Sequence, residues 1–64
     1  MHGEANYMVI NEDSDDILAS TSTLEEAKEA LLKEDISACY IEDSERGMRI
    51  YTEDGGDTWL TSEA

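Results

Sequence analysis

The sequence predicts an α+β domain of order ββαβββ: one antiparallel sheet with a single helix laid across one of its faces. Three observations carry that expectation: a capped amphipathic stretch over residues 24–34, five short apolar blocks rich in β-branched and aromatic residues, and polar or glycine-containing turns between them. The chain has 64 residues, no proline, and no repeat, linker or low-complexity segment to divide it. It is therefore expected to form one small domain over residues 1–64, with residues 1–5 and 63–64 frayed.

The first block, Tyr7-Met8-Val9-Ile10, reads as a strand. An acidic run without apolar content, residues 11–16, turns the chain into a second block at Ile17-Leu18-Ala19-Ser20, so residues 7–20 predict a hairpin. Ser22 and Thr23 are each followed three residues later by a glutamate, Glu25 or Glu26, which is capping-box spacing. Those two acids also suit the positive end of a helix dipole. Leu24, Ala27, Ala30, Leu31 and Leu32 then fall within one arc of about 200° at 100° per residue, a wide apolar stripe. Strand chemistry returns at Ala38-Cys39-Tyr40-Ile41, at Met48-Arg49-Ile50-Tyr51 and at Thr58-Trp59-Leu60-Thr61, with turns at residues 44–47 and 54–57.

The last turn carries the most specific local pattern. Thr52, Asp54, Gly56, Thr58 and Trp59 fill the specified positions of Ser/Thr-x-Asp-x-Gly-x-Thr-Trp/Phe, and the stretch resembles the Asp box. That resemblance implies a hairpin over residues 48–61 whose aspartate ties down its own turn. In sialidases and related propellers the box repeats from blade to blade and is structural. One copy in 64 residues implies neither a propeller nor catalysis.

Strand side chains alternate between faces. One partition puts Met8, Ile10, Leu18, Cys39, Ile41, Met48, Ile50 and Leu60 under the helix. It leaves Tyr7, Val9, Tyr40, Arg49, Tyr51 and Trp59 on the other side, and so places every aromatic residue on a face that one helix cannot cover. Such a face suits a binding or dimerisation surface. It equally suits plain sheet stabilisation, since tyrosine and tryptophan favour strands and pair across them.

Composition narrows the function. Seventeen acids against four bases give a formal charge of -13. Four bases are too few to hold phosphates, so direct nucleic-acid binding is not expected. The single cysteine, Cys39, permits neither an internal disulfide nor a four-ligand zinc cage, and reads as a small buried hydrophobe. Calcium is disfavoured as well. Asp13 and Asp15 have the right spacing, but Leu18 and Leu24 stand where an EF-hand loop needs glycine and glutamate. No cofactor or metal is expected, and so short a chain leaves little room for a substrate cleft, which argues against an enzyme. No apolar run reaches the roughly 18 residues of a membrane span, and Met1-His2-Gly3-Glu4-Ala5 lacks the pattern of a signal peptide, so the expected setting is cytoplasmic.

The acids concentrate in three turn regions: Glu12, Asp13, Asp15 and Asp16; Glu42, Asp43 and Glu45; Glu53, Asp54 and Asp57. A folded body of this mass exposes on the order of 4,000 Å², or one acid per roughly 240 Å². B-DNA carries about one phosphate per 110 Å². Gathering the acids on one side would bring their density toward that of DNA. In size and architecture, with its element order, acidic glycine turn and tryptophan strand, the chain resembles small phage-encoded inhibitors of host enzymes, among them anti-CRISPR and anti-restriction proteins. The resemblance implies an inhibitor of a host enzyme; the charge and the aromatic face predict a non-enzymatic module that occupies a basic, nucleic-acid-binding protein, the acidic turns steering it and Tyr7, Tyr40, Arg49, Tyr51 and Trp59 anchoring it. The competing expectation is a homodimer that buries the aromatic face, in an acidic or halophilic proteome.

Overall fold

The computed structural model describes residues 6–34 and 36–63, so the fraying expected at residues 1–5 and at Ala64 lies outside the described residues. Five strands form one sheet: β1 (Tyr7–Asn11), β2 (Ile17–Thr21), β3 (Cys39–Asp43), β4 (Met48–Thr52) and β5 (Trp59–Glu63), with helix α1 (Leu24–Leu32) between β2 and β3. The strand order is β2-β1-β3-β4-β5 and every neighbouring pair is antiparallel. This is the predicted ββαβββ architecture. Glu63 pairs with Met48 inside β5, so the last strand runs further than the sequence suggests.

Of the two capping candidates, Thr23 and Glu26 are the pair that forms. Thr23 Oγ1 accepts the Glu26 amide at 3.2 Å and donates to Glu26 Oε1 at 2.9 Å. The helix starts at the expected Leu24 and ends at Leu32, two residues before the expected Glu34, with Lys33 as its C-cap. It lies over β2, β1 and β3. Ala27 and Leu31 are fully buried there against Val9, Ile41, Ile50 and Cys39, with Tyr7, Ala19, Leu24, Ala30, Ile36 and Trp59 packed around them. The two alanines of the stripe allow this close seat.

The register corrects the face partition in two strands. Val9 lies opposite Ile41, and Ile41 opposite Ile50, so Tyr7 and Val9 belong to the helix-covered face. Thr52 lies opposite Trp59, which puts Trp59 there too, beneath the Lys28 ammonium at 5.1 Å from the ring centroid. Met8, Ile10 and Leu60 therefore turn to the open face, opposite Glu42, Tyr40 and Tyr51 respectively. A one-residue shift exchanges every side chain between faces, and in β1 both alternating sets are apolar, so hydrophobicity could not choose. Leu18 is displaced for another reason. The β1–β2 register slips between Val9/Ala19 and Ile10/Ile17, leaving Leu18 as the extra residue of a bulge and 40% exposed. Cys39, Ile41, Met48 and Ile50 lie on the covered side and Tyr40, Arg49 and Tyr51 on the open side, as the alternation predicts.

Candidate functional site

Strand directions decide where the acids gather. β1 ends and β2 begins at the same end of the sheet as the β4–β5 turn and the α1–β3 link, because each chain reversal sends the next strand back. The 12–16 and 53–58 turns therefore share that end, whereas the 44–47 turn lies at the other. Glu12, Asp13, Asp15, Asp16, Glu34, Glu53, Asp54 and Asp57 meet one nearby base there, Lys33. The opposite end holds Glu25, Glu26, Asp43, Glu45 and Glu63 with Arg46. Three strand spacings separate the centres of the two acidic turns, about 14 Å at roughly 4.8 Å each.

Each turn is shaped by a side chain at its start. Asn11 Oδ1 accepts the amides of Asp13 (2.9 Å) and Ser14 (3.1 Å), and the turn closes with Asp15 at φ 60°, a left-handed conformation that aspartate tolerates. Asp43 Oδ1 accepts the amides of Glu45 (3.1 Å) and Arg46 (3.3 Å). Asp43 is only 4% exposed, so this predicted partner contact is spent inside the fold. In the Asp-box turn the buried Thr52 hydroxyl accepts the Gly56 amide at 2.9 Å and has two acceptors for its own proton, Asp54 Oδ1 (2.9 Å) and the Thr58 carbonyl (2.8 Å). Asp54 Oδ1 also accepts the Thr58 amide at 2.9 Å. Those bonds, the Thr58 amide first and the Thr52 hydroxyl second, hold the Asp54 carboxyl below its usual 3.8. The backbone favours glycine at position 56, and a side chain there would also press on a neighbour. The φ of Gly56 is 104°, and a Cβ there would stand 3.2 Å from Leu32, whose side chain leans over the turn from the end of the helix.

The open face carries the second part of the site. Tyr40, Tyr51, Met8 and Leu60 are half-buried on it, Ile10 is buried among them, and Ile17 at the β2 edge is 58% exposed. Arg49, exposed, lies opposite Glu42 and stacks on Tyr40, its guanidinium carbon 4.7 Å from the ring centroid. From this face toward the acidic end runs a groove of about 610 Å³, lined by Tyr40, Arg49, Tyr51 and Ser62 at one side and by Ile36, Ser37, Glu12 and Glu53 at the other, with Cys39 and Thr52 contributing to its wall. Of the residues singled out from sequence, the structure brings together Tyr40, Arg49, Tyr51 and Glu53. It sets Tyr7 and Trp59 on the covered face and Glu45 at the far end. Glu12 was read only as part of its acidic turn, and Ser37 and Ser62 went unnoticed, because nothing but the pairing of distant strands places them beside the tyrosines.

Among the described residues no three His, Cys, Asp or Glu side chains converge as a metal-binding group. No helix among them is long and apolar enough to cross a membrane. Comparison with protein-family models, curated proteins and solved structures finds no match.

Proposed function

We propose that the protein is a non-enzymatic interaction module that docks on the basic surface of a nucleic-acid-binding protein and so keeps nucleic acid from it. The observation that carries this reading is the meeting of two acidic hairpin turns at one end of the sheet, beside an open face of half-buried tyrosines. The average surface is too dilute for mimicry: 17 acids over 4172 Å² is one per about 245 Å², under half the density of DNA. Concentrating eight carboxylates at one end, seven of them in two ridges about 14 Å apart, gives the spacing of a B-DNA groove, whose major groove is about 12 Å wide. Such a field raises association rates and selects basic partners. A cytoplasmic setting accompanies this reading.

The open face also favours a second reading, a homodimer, because a contiguous apolar patch beside an exposed Ile17 is what self-association buries. Two measurements separate the readings. Immobilised protein is offered a cell lysate in low salt and eluted with high salt, and sedimentation is run at micromolar concentration. The interaction reading expects basic nucleic-acid-binding proteins that elute with salt and are displaced by duplex DNA. A chain that only dimerises and retains nothing basic refutes it.

A further inference from the structure

We infer that the groove on the open face is a binding site for an extended peptide segment in which a lysine or arginine and an acidic residue stand four positions apart. The proposal rests on the preceding reading and names which part of a basic partner the module grips. Along β4 and its continuation, Arg49, Tyr51 and Glu53 succeed one another at alternate positions and line the same groove. At roughly 3.4 Å per residue, the α-carbons of Arg49 and Glu53 are about 14 Å apart, four residues of extended chain, with Tyr51 between them. Glu12 joins Glu53 in the lining, and the Arg49 guanidinium rests on the ring of Tyr40, which the strand register sets level with Tyr51.

This order gives the groove a polarity that suits one occupant. A lysine or arginine head fits between Glu12 and Glu53 while its methylene stem lies on Tyr51. Arg49 is exposed, and its planar fork is held by the Tyr40 ring with donors still to spare for a carboxylate. It would repel a second cation, so a uniformly basic segment fits less well than one with alternate charge. The volume of about 610 Å³ lies in the range of sites that take small ligands and short segments.

The test exploits a conflict between the groove and the overall field. Two acetylated, amidated pentapeptides of threonine and valine are titrated into 15N-labelled protein at low salt. One carries lysine first and glutamate fifth; the other carries lysine first and alanine fifth. A protein of charge -13 acting only through its field prefers the second peptide, which has the higher positive charge. The groove prefers the first, by about threefold, with shifts concentrated at the amides of Tyr40, Arg49, Tyr51 and Glu53. Arg49→Met, a change at an exposed position, is expected to abolish the preference while retaining lysine-dependent shifts. The Glu12→Gln/Glu53→Gln pair is expected to weaken both peptides about fivefold. Preference for the second peptide, or shifts spread over every acidic turn, overturns the groove and leaves the field-driven docking on a basic partner standing. Absence of shifts up to about 10 mM peptide overturns the groove as well, and the lysate capture reports separately on the broader reading. If these amides broaden with protein concentration before any peptide is added, the occupant is a second copy and the peptide assignment falls.

Discussion

On the covered face Val9, Ile41 and Ile50 close over Ala27 and Leu31, whereas on the open face Tyr40, Tyr51 and Leu60 keep part of their surface in water. The same strands supply both sets one residue apart: aliphatic side chains with Tyr7 and Trp59 beside them fill the covered side, whereas Tyr40, Tyr51 and Arg49 share the other with Met8, Ile10, Leu60 and a groove. Stability and recognition are thereby separated by the pleat of a single sheet. The covered face carries the apolar burial that a 64-residue chain can muster, and the open face is free to carry chemistry that adds little to folding.

The largest expected effect tests that separation directly. Ile41→Ala removes a fully buried side chain from the centre of the covered face and is expected to cost about 3 kcal/mol. A domain of this length has roughly 3–10 kcal/mol in all, so the variant should lose at least about a third of its stability and melt at a clearly lower temperature by circular dichroism. Its neighbour Tyr40→Ala, half-buried on the open face, is expected to cost about 1 kcal/mol and to melt cooperatively. Equal losses would mean that the open face is a second core and not a recognition surface.

A smaller contrast concerns hydroxyl groups. Thr52→Val keeps the shape of a side chain that is 2% exposed and removes the acceptor of the Gly56 amide, leaving that N–H without its protein partner, at about 1–3 kcal/mol. Ser62→Val, exposed on the open face, is expected to stay within about 0.5 kcal/mol. Urea midpoints at constant slope would rank the two.

The separation of faces explains how much of the molecule was legible in its sequence. Element order, the helix start and the Asp-box hairpin could be read because each rests on local chemistry: a Thr23–Glu26 cap, a Thr52–Asp54–Gly56 turn, alternation within one strand. The faces of β1 and β5 could not be read, because Tyr7 and Val9 are as apolar as Met8 and Ile10, and Trp59 as apolar as Leu60. Only pairing across the sheet separates them. The bulge at Leu18 was hidden for the same reason. Of the groove residues, Tyr40, Arg49 and Tyr51 were found from two strands whose alternation is unambiguous, whereas Glu12 and Ser62 reach it from chain segments whose neighbours are set by topology.

Acid titration gives the third test, at the turn that joins the covered face of β4 to that of β5. Asp54 has its carboxyl held below 3.8 by the Thr58 amide and the Thr52 hydroxyl. A carboxyl lowered in the folded state stabilises the fold above its unfolded pKa, and that contribution is lost as pH falls through the folded value. Stability should therefore decline below about pH 4 in the wild type. Asp54→Asn, which cannot titrate, should lack that component of the acid limb, seen as a flatter melting profile between pH 4 and the lower end of the folded range. A D54N profile parallel to that of the wild type would remove Asp54 from the account of the turn.

The smallest expected effect concerns charge, and it sharpens the comparison by asking whether the rim of the open face acts against the covered core. The molecule measures 35 × 23 × 21 Å. At 0.01 M salt the Debye length is about 30 Å, so nearly every carboxylate feels every other; at 0.1 M it is about 10 Å, less than the roughly 14 Å between the two acidic turns. Folding brings charges together that the unfolded chain holds farther apart, so screening relieves the folded state more. The melting temperature is expected to rise between 10 and 300 mM NaCl, while affinity for a basic partner falls over the same range, because one interaction is repulsive within the chain and the other attractive between chains. Replacing Glu12, Asp13, Asp15 and Asp16 by their amides should raise the low-salt melting temperature and weaken partner binding together, and at Asp15 asparagine also accepts the left-handed backbone. Neutralising Glu25, Glu26, Glu45 and Glu63 at the opposite end changes the net charge equally but removes acids that are offset by Arg46 and by the positive end of the helix, so it should raise stability less and leave binding closer to that of the wild type. Should both sets weaken binding alike, the partner senses only the total charge, and the two acidic turns have no special part in its capture.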